Sequence, residues 1–183
     1  MFERLLERIA RALDSIRLPY MVIGGQAVLL YGEPRLTKDI DITLGADLER
    51  LPDLLSLLQS LQFKPLADPD TFTRKTMVLP CSDPSTGIRI DLIFSFSPYE
   101  QQALTRVTTV KIGETAVRFA SVEDLIIHKM IAGRSRDLED IKSVLLKNPA
   151  MDLAYIRHWL RDFAAAVHET YVERFEQILR ECA

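Results

Sequence analysis

The chain has only two cysteines among 183 residues, Cys81 and Cys182. They lie far apart and match no zinc-ligand spacing, so neither a disulfide framework nor a zinc site is expected; both read as ordinary thiols of a reducing compartment. No apolar run approaches the roughly 18 residues that a membrane span needs. The opening "MFERLLERIARALDSI" mixes acids with its bases and has no long apolar centre, which is not the pattern of a signal peptide. A cytoplasmic protein without a membrane is the expectation. Neither charge dominates: the formal net charge is −3, which gives no global pull toward nucleic acid or anionic lipid. There is no internal repeat and no low-complexity segment. What remains is a chain about half apolar and a quarter charged, long enough to bury a core as one domain or two small ones.

The order of elements is partly readable. Phe2, Leu5, Leu6, Ile9 and Leu13 recur at helical spacing. "YMVIGG" reads as a buried strand stopped by glycines, "QAVLLYG" as a short helix closed by Gly32, and "DIDITL" as a half-buried strand. Asp47 is placed to cap the helix that follows. "TRKTMVLPC" and "GIRIDLIFSF" read as two strands, "SPYEQQAL" as helix-like, and "TRVTTVKIGETAVRFA" as two strands around Gly113. The rest is helical, over roughly 121–132, 136–147, 152–166 and 168–181. Composition therefore shifts near residue 120. Residues 1–120 are expected to form an α/β domain and 121–183 a helical domain packed on it, contributing to one active-site cleft.

The stretch "VIGGQAVLLYGEPRLTKDIDITL" at 22–44 carries the first chemical signal. Asp39 and Asp41 lie two apart on a strand and point to one face, where two like charges repel. Asp91, in "IRIDLIF", is a third acid on a strand rich in apolar residues. Three carboxylates on neighbouring strands form an oxygen-rich set suited to Mg²⁺ or Mn²⁺. Gly24 and Gly25 close a strand and open a helix, so bare backbone N–H groups can approach a phosphate. Each piece also has a plain structural reading. A glycine pair often only turns the chain, a D-x-D often only faces water, and Asp91 can simply pair with Arg89 or Arg74.

In this order the residues resemble the DNA polymerase β-like nucleotidyltransferase superfamily. The resemblance implies a mixed sheet with flanking helices followed by a small C-terminal helical bundle. It implies that Gly24 and Gly25 hold a nucleoside triphosphate, that Asp39, Asp41 and Asp91 ligate metal, and that Asp91 helps activate the attacking hydroxyl. The fuller pattern G-x-x-R-x-T-x-D-h-D, here Gly32, Arg35, Thr37, Asp39 and Asp41, looks most like the AbiEii-type nucleotidyltransferases, and the resemblance implies that Arg35 and Thr37, with Lys129 and Arg134, help bind the nucleotide. Toxin members of that type pair with an antitoxin protein. The implied reaction moves a nucleoside monophosphate from a triphosphate to an acceptor hydroxyl on RNA (a tRNA end included), protein or a small molecule. A non-catalytic nucleotide-binding or interaction module with the same fold is the alternative.

A second signal lies in "SVEDLIIHKMIAGRSRDLEDIKSVLL". On a helical wheel Lys129 falls inside an apolar stripe, and Asp137 does the same on the next helix. Both belong to one hairpin, which points to a buried pair, although Lys129 can also snorkel and Asp137 can also serve a helix N-terminus. By resemblance, Lys129 neutralises triphosphate charge while Asp137 and Asp140 orient or activate groups nearby, which puts Lys129 and Asp137 with Asp39, Asp41 and Asp91 among the catalytic residues. Arg134 and Arg136 offer forked donors to phosphate or RNA. His128, His158 and His168 share no metal spacing. Tyr155, Trp159 and Phe163 recur at helical spacing and are expected in the core, and Gln26 is close enough in sequence to Gly24 to touch nucleotide.

Overall fold

The computed structural model describes residues 1–182. Two compact units emerge: Met1–Gln26 with Thr37–Ala120, and Ala27–Leu36 with the residues from Ser121 onward. The first unit is built on one seven-stranded sheet in the order β3-β4-β5-β2-β1-β7-β6. Its strands are β1 (Tyr20–Ile23), β2 (Asp39–Gly45), β3 (Lys64–Pro65), β4 (Val78–Ser82), β5 (Arg89–Ser95), β6 (Thr108–Ile112) and β7 (Thr115–Phe119). The β2/β5 and β1/β7 pairs run parallel and the other pairs antiparallel, so the sheet is mixed, as the sequence implied.

Alternation decides which face each strand buries. Ile40, Ile42 and Leu44 of β2, with Ile90, Leu92 and Phe94 of β5, are essentially inaccessible on one face. Each such side chain stabilises the fold by about 1.5–3 kcal/mol relative to exposure. Helix α1 (Phe2–Ser15) turns Leu5, Leu6, Ile9 and Leu13 inward and lies against β6 and β7. Arg11 and Glu7 both bond the Thr115 hydroxyl there, and Arg118 pairs with Asp14. The opposite face of β2 carries Asp39, Asp41, Thr43 and Gly45. Its far end is covered by α5 (Pro98–Thr105): a Cβ on Gly45 would meet Leu104 Cδ1 at 2.5 Å. The Asp39 end stays half-open.

Two expectations need correction. "TRKTMVLPC" is not one strand: Pro69–Thr76 forms helix α4, with Asp68 capping Thr71 N at 2.8 Å and Met77 closing it in the left-handed region, before β4 begins at Val78. Proline at the first turn and an acid before it are start signals that outweigh the β-branched run. Asp47 caps a short 3-10 turn, Leu48–Arg50, and the α3 helix (Leu51–Ser60) starts only after it.

Helix α2 (Gly24–Tyr31), which belongs to the second unit from Ala27 onward, ends at Gly32, where closeness rather than a left-handed backbone requires glycine. A Cβ would lie 2.6 Å from Ser143 Oγ and 3.1 Å from Val144 Cγ2 on helix α7 (Ser135–Lys147). The last carbonyls of α2 are met by α7: Asn148 Nδ2 donates to Tyr31 O at 2.9 Å and Lys147 Nζ to Gly32 O at 3.1 Å. Helices α6 (Val122–Ala132), α8 (Leu153–Val167) and α9 (Tyr171–Cys182) complete the bundle. Within α8 the fully buried residues are Ile156 and Leu160; Tyr155, Trp159 and Phe163 sit one position off that line and are half-buried, not core as expected. No helix among the described residues is long and apolar enough to cross a membrane.

Candidate active site

The β2/β5 register brings three sequence-predicted acids onto one face. Asp41 is level with Asp91, and Asp39 is level with Arg89. Across the other edge of β2, Asp41 is level with Ile23, the last residue of β1. All three carboxylates are half-buried. Two unit charges one strand spacing apart, about 4.8 Å, repel by roughly 3 kcal/mol at an effective dielectric near 20. Folding alone does not favour such a patch. Arg89 offsets part of the repulsion, with Nε donating to Asp91 Oδ1 at 2.9 Å. The hydrogen bond and charge of Asp91 foremost, with Asp39 and Asp41 adding, hold the Arg89 guanidinium more firmly protonated than usual.

Gly24 stands at the edge of this patch with φ +64°, and a Cβ built on it would lie 2.0 Å from Asp41 Oδ2. Only glycine permits both that backbone and that approach. Its main chain, opening α2, therefore rests directly beside a carboxylate, with Gly25 buried in the same first turn. Two buried neighbours steady Asp39. Gln26 Nε2 donates to its carbonyl at 3.4 Å, and Thr37 Oγ1 makes equally long contacts to that carbonyl and to Oδ1.

The other predicted residues gather in the second unit as an ion network. Lys129 Nζ, on α6, donates to Asp137 Oδ1 at 2.7 Å and Asp140 Oδ2 at 2.8 Å, both on α7. Arg35 grips Asp140 with two parallel bonds, Nε to Oδ1 at 2.8 Å and Nη2 to Oδ2 at 2.9 Å. Arg134 Nε donates to Asp137 Oδ2 at 2.6 Å, and its backbone N–H donates to the same oxygen, so Asp137 also closes a capping box on α7. Gly133, at φ +61°, makes the turn between the helices. The side chains of Lys129, Asp137 and Asp140 are each no more than 6% exposed. Burial pushes the Asp137 carboxyl up, but the bonds from Arg134 and Lys129 outweigh it and hold the group below the usual carboxylate range.

The sequence placed Lys129 and Asp137 together and Arg35 with the nucleotide-binding residues; in the structure the Arg35 fork is on Asp140. The signal was available, since a buried ammonium requires carboxylates, and two acids three apart on α7 leave one to spare. Arg136 reaches a backbone oxygen, Leu36 O at 3.1 Å. Of the histidines, His158 is exposed near Asp162 and His168 closes α8 in the left-handed region. Burial, with the charge of Asp91 adding, pushes the Cys81 thiol up to about 12, which leaves it no nucleophile.

Among the described residues no three His, Cys, Asp or Glu side chains lie close enough together to hold a metal ion. In donor type alone the three acids suit a hard cation. Three carboxylates share one face with no soft ligand among them, and Gly24 leaves open backbone against Asp41.

Several solved structures share the fold. One is the solution structure of the antibiotic-resistance factor ANT(2″)-Ia, at TM-score 0.62 and 18% identity, covering 91% of this chain and 94% of that one. Another is an antigenic nucleotidyltransferase-like protein from Paracoccidioides brasiliensis, at TM-score 0.58 and 17% identity, covering 97% and 91%. A third is the lincosamide antibiotic adenylyltransferase LnuA with lincomycin bound, at TM-score 0.56 and 16% identity, covering 78% and 95%. At such identities the likeness establishes the polymerase β-like nucleotidyltransferase fold. No curated protein matches the chain. A family model described as "Nucleotidyltransferase of unknown function (DUF6036)" matches residues 2–182, so the chain belongs to that nucleotidyltransferase family.

Proposed function

We propose that this protein transfers a nucleoside monophosphate from a nucleoside triphosphate to an acceptor hydroxyl, using Mg²⁺ or Mn²⁺ bound by Asp39, Asp41 and Asp91. The observation that carries this reading is the register of Asp41 against Asp91 with the Gly24 backbone pressed on Asp41. It explains at once why like charges are clustered and why a left-handed glycine stands beside them. A divalent cation held by the acids supplies the positive charge that a phosphoryl transition state needs. Gly24 and Gly25 offer main-chain N–H groups to the triphosphate. Asp91 takes the proton of the acceptor hydroxyl as its oxygen bonds the α-phosphorus, and the bond to pyrophosphate breaks. Thr37 and Gln26 hold Asp39 in place. Lys129, Asp137, Asp140 and Arg35 keep the α6–α7 hairpin and the 33–36 segment as one piece, with Arg134 the most exposed cation of that network.

A small-molecule hydroxyl is the favoured acceptor. The net charge of −3 suits a neutral or cationic small acceptor better than RNA, and ANT(2″)-Ia has been solved with adenylyl-2″-tobramycin. An AbiEii-type role, with RNA as acceptor and a protein antitoxin as partner, is the second reading, favoured by the G-x-x-R-x-T-x-D-h-D pattern through Gly32, Arg35 and Thr37. The test is label transfer from each α-labelled triphosphate, with Mg²⁺, to aminoglycoside and lincosamide pools, total RNA and cell protein. Label on the antibiotics that disappears in Asp41→Asn supports the proposal; label on RNA selects the second reading. Equal labelling by the variant overturns the assignment of the acids.

A further inference from the structure

The acid patch contains one cation of its own. Arg89 lies on the same face as Asp91, two residues before it on β5, and level with Asp39 on β2. Four charged side chains thus occupy two adjacent strands, three negative and one positive. Only Nε of Arg89 makes a side-chain hydrogen bond among the described residues, to Asp91 Oδ1. The guanidinium is about half exposed while the Asp91 side chain is 18% exposed. An arginine placed only for solubility has no reason to turn inward onto the less accessible partner. A divalent cation shared by these acids would have a full positive charge within contact range of one of its ligands. Two cations cannot be neutralised by the same carboxylate without mutual repulsion.

Resting on the metal reading above, we propose that Arg89 is the resident counter-cation of the acid patch. It holds Asp91 through Oδ1 while no metal is bound and competes with an entering divalent cation for that carboxylate, so Arg89 sets the metal affinity of the site. The side chain is a positioning residue acting through Asp91, and it competes with metal.

The experiment is Mn²⁺ binding to the nucleotide-free protein, read as loss of free Mn²⁺ signal by electron paramagnetic resonance. Arg89→Gln, which keeps a donor but removes the charge, should bind Mn²⁺ roughly fivefold more tightly or better. Arg89→Lys should stay near the wild type. Without metal, Arg89→Gln should melt lower than wild type, and saturating Mn²⁺ should close that gap. Unchanged or weaker Mn²⁺ binding in Arg89→Gln, with Asp41→Asn abolishing binding in both backgrounds, overturns the role of Arg89 and leaves the metal reading standing. Mn²⁺ binding indifferent to Asp41→Asn overturns the metal reading itself. Should Arg89→Gln fail to fold, the wild type decides: the Arg89 Nε–H resonance, assigned by its absence in Arg89→Lys, must shift as Mg²⁺ is added. A resonance that stays fixed through saturation overturns the proposal.

Discussion

Asp41 is the residue on which the most constraints meet. It faces Asp91 across one strand pair and Ile23 across the other, and its Oδ2 fills the place a side chain on residue 24 would need. Asp41→Asn removes one of three like charges while keeping shape. Transferase activity should fall by at least about a hundredfold, since a single electrostatic group at such a centre is worth that much. The melting temperature should hold or rise, because repulsion is relieved. Gly24→Ala should behave oppositely: the left-handed backbone alone costs roughly 1–2 kcal/mol, and the methyl displaces the Asp41 carboxylate besides. Both stability and nucleotide binding should drop, checked by urea unfolding and calorimetry. A variant with native stability would show that residue 24 can leave the left-handed region. These residues were legible in the sequence because two-residue periodicity and paired glycines are local patterns. Arg89 was visible there only as one partner open to Asp91, since nothing in the sequence says which of two arginines reaches it.

Helices α6 and α7 are joined by chemistry that neither carries alone. Lys129 is enclosed by Asp137 and Asp140, and each acid has a second cation, Arg134 or Arg35. Lys129→Met removes the shared centre and leaves two buried acids with less compensation. The expected loss is about 3–5 kcal/mol, the usual result of breaking a buried pair from one side, read from urea midpoints at constant slope. The pH dependence follows from Asp137. Its folded pKa lies below the ordinary aspartate value, so its contribution is complete above that ordinary value and is lost as pH falls through the lower, folded one. Asp137→Asn should therefore flatten the acid limb of stability below about pH 4 and leave the neutral-to-alkaline limb unchanged. A wild-type acid limb retained in the variant would place the titration elsewhere. At this scale the misplaced lysine was readable beforehand, because a helical wheel exposes a charge in an apolar stripe. The pairing of Arg35 with Asp140 was not readable, since the two lie 105 residues apart and meet only through tertiary folding. The expected strand over 73–81 starts too early, since the threonines at 73 and 76 have a β propensity that Asp68 and Pro69 override by starting a helix that runs to Thr76.

Across the whole molecule the balance of charge bears on the acceptor. With 26 acids against 23 bases, the chain lacks the excess of cations that condenses on a polyphosphate backbone. Several of its arginines are already committed to carboxylates: Arg8 to Asp83, Arg35 to Asp140, Arg118 to Asp14 and Arg157 to Glu176. Cations tied up in this way release few counterions on binding, and counterion release is what makes RNA affinity steep in salt. The expectation is weak RNA binding whose logarithmic salt slope stays near that of one or two phosphate contacts, about −0.7 for each on a single strand. Nucleoside triphosphate with Mg²⁺ should behave differently. At a hundred times its dissociation constant it should stabilise the protein by about 2.7 kcal/mol, and Asp41→Asn should erase that gain. Fluorescence anisotropy on labelled RNA from 50 to 200 mM salt, beside thermal shifts with and without triphosphate, separates the cases. A slope equivalent to six or more phosphates would mean that cations now held in ion pairs are released to an RNA, and the small-molecule acceptor would give way to a nucleic-acid one.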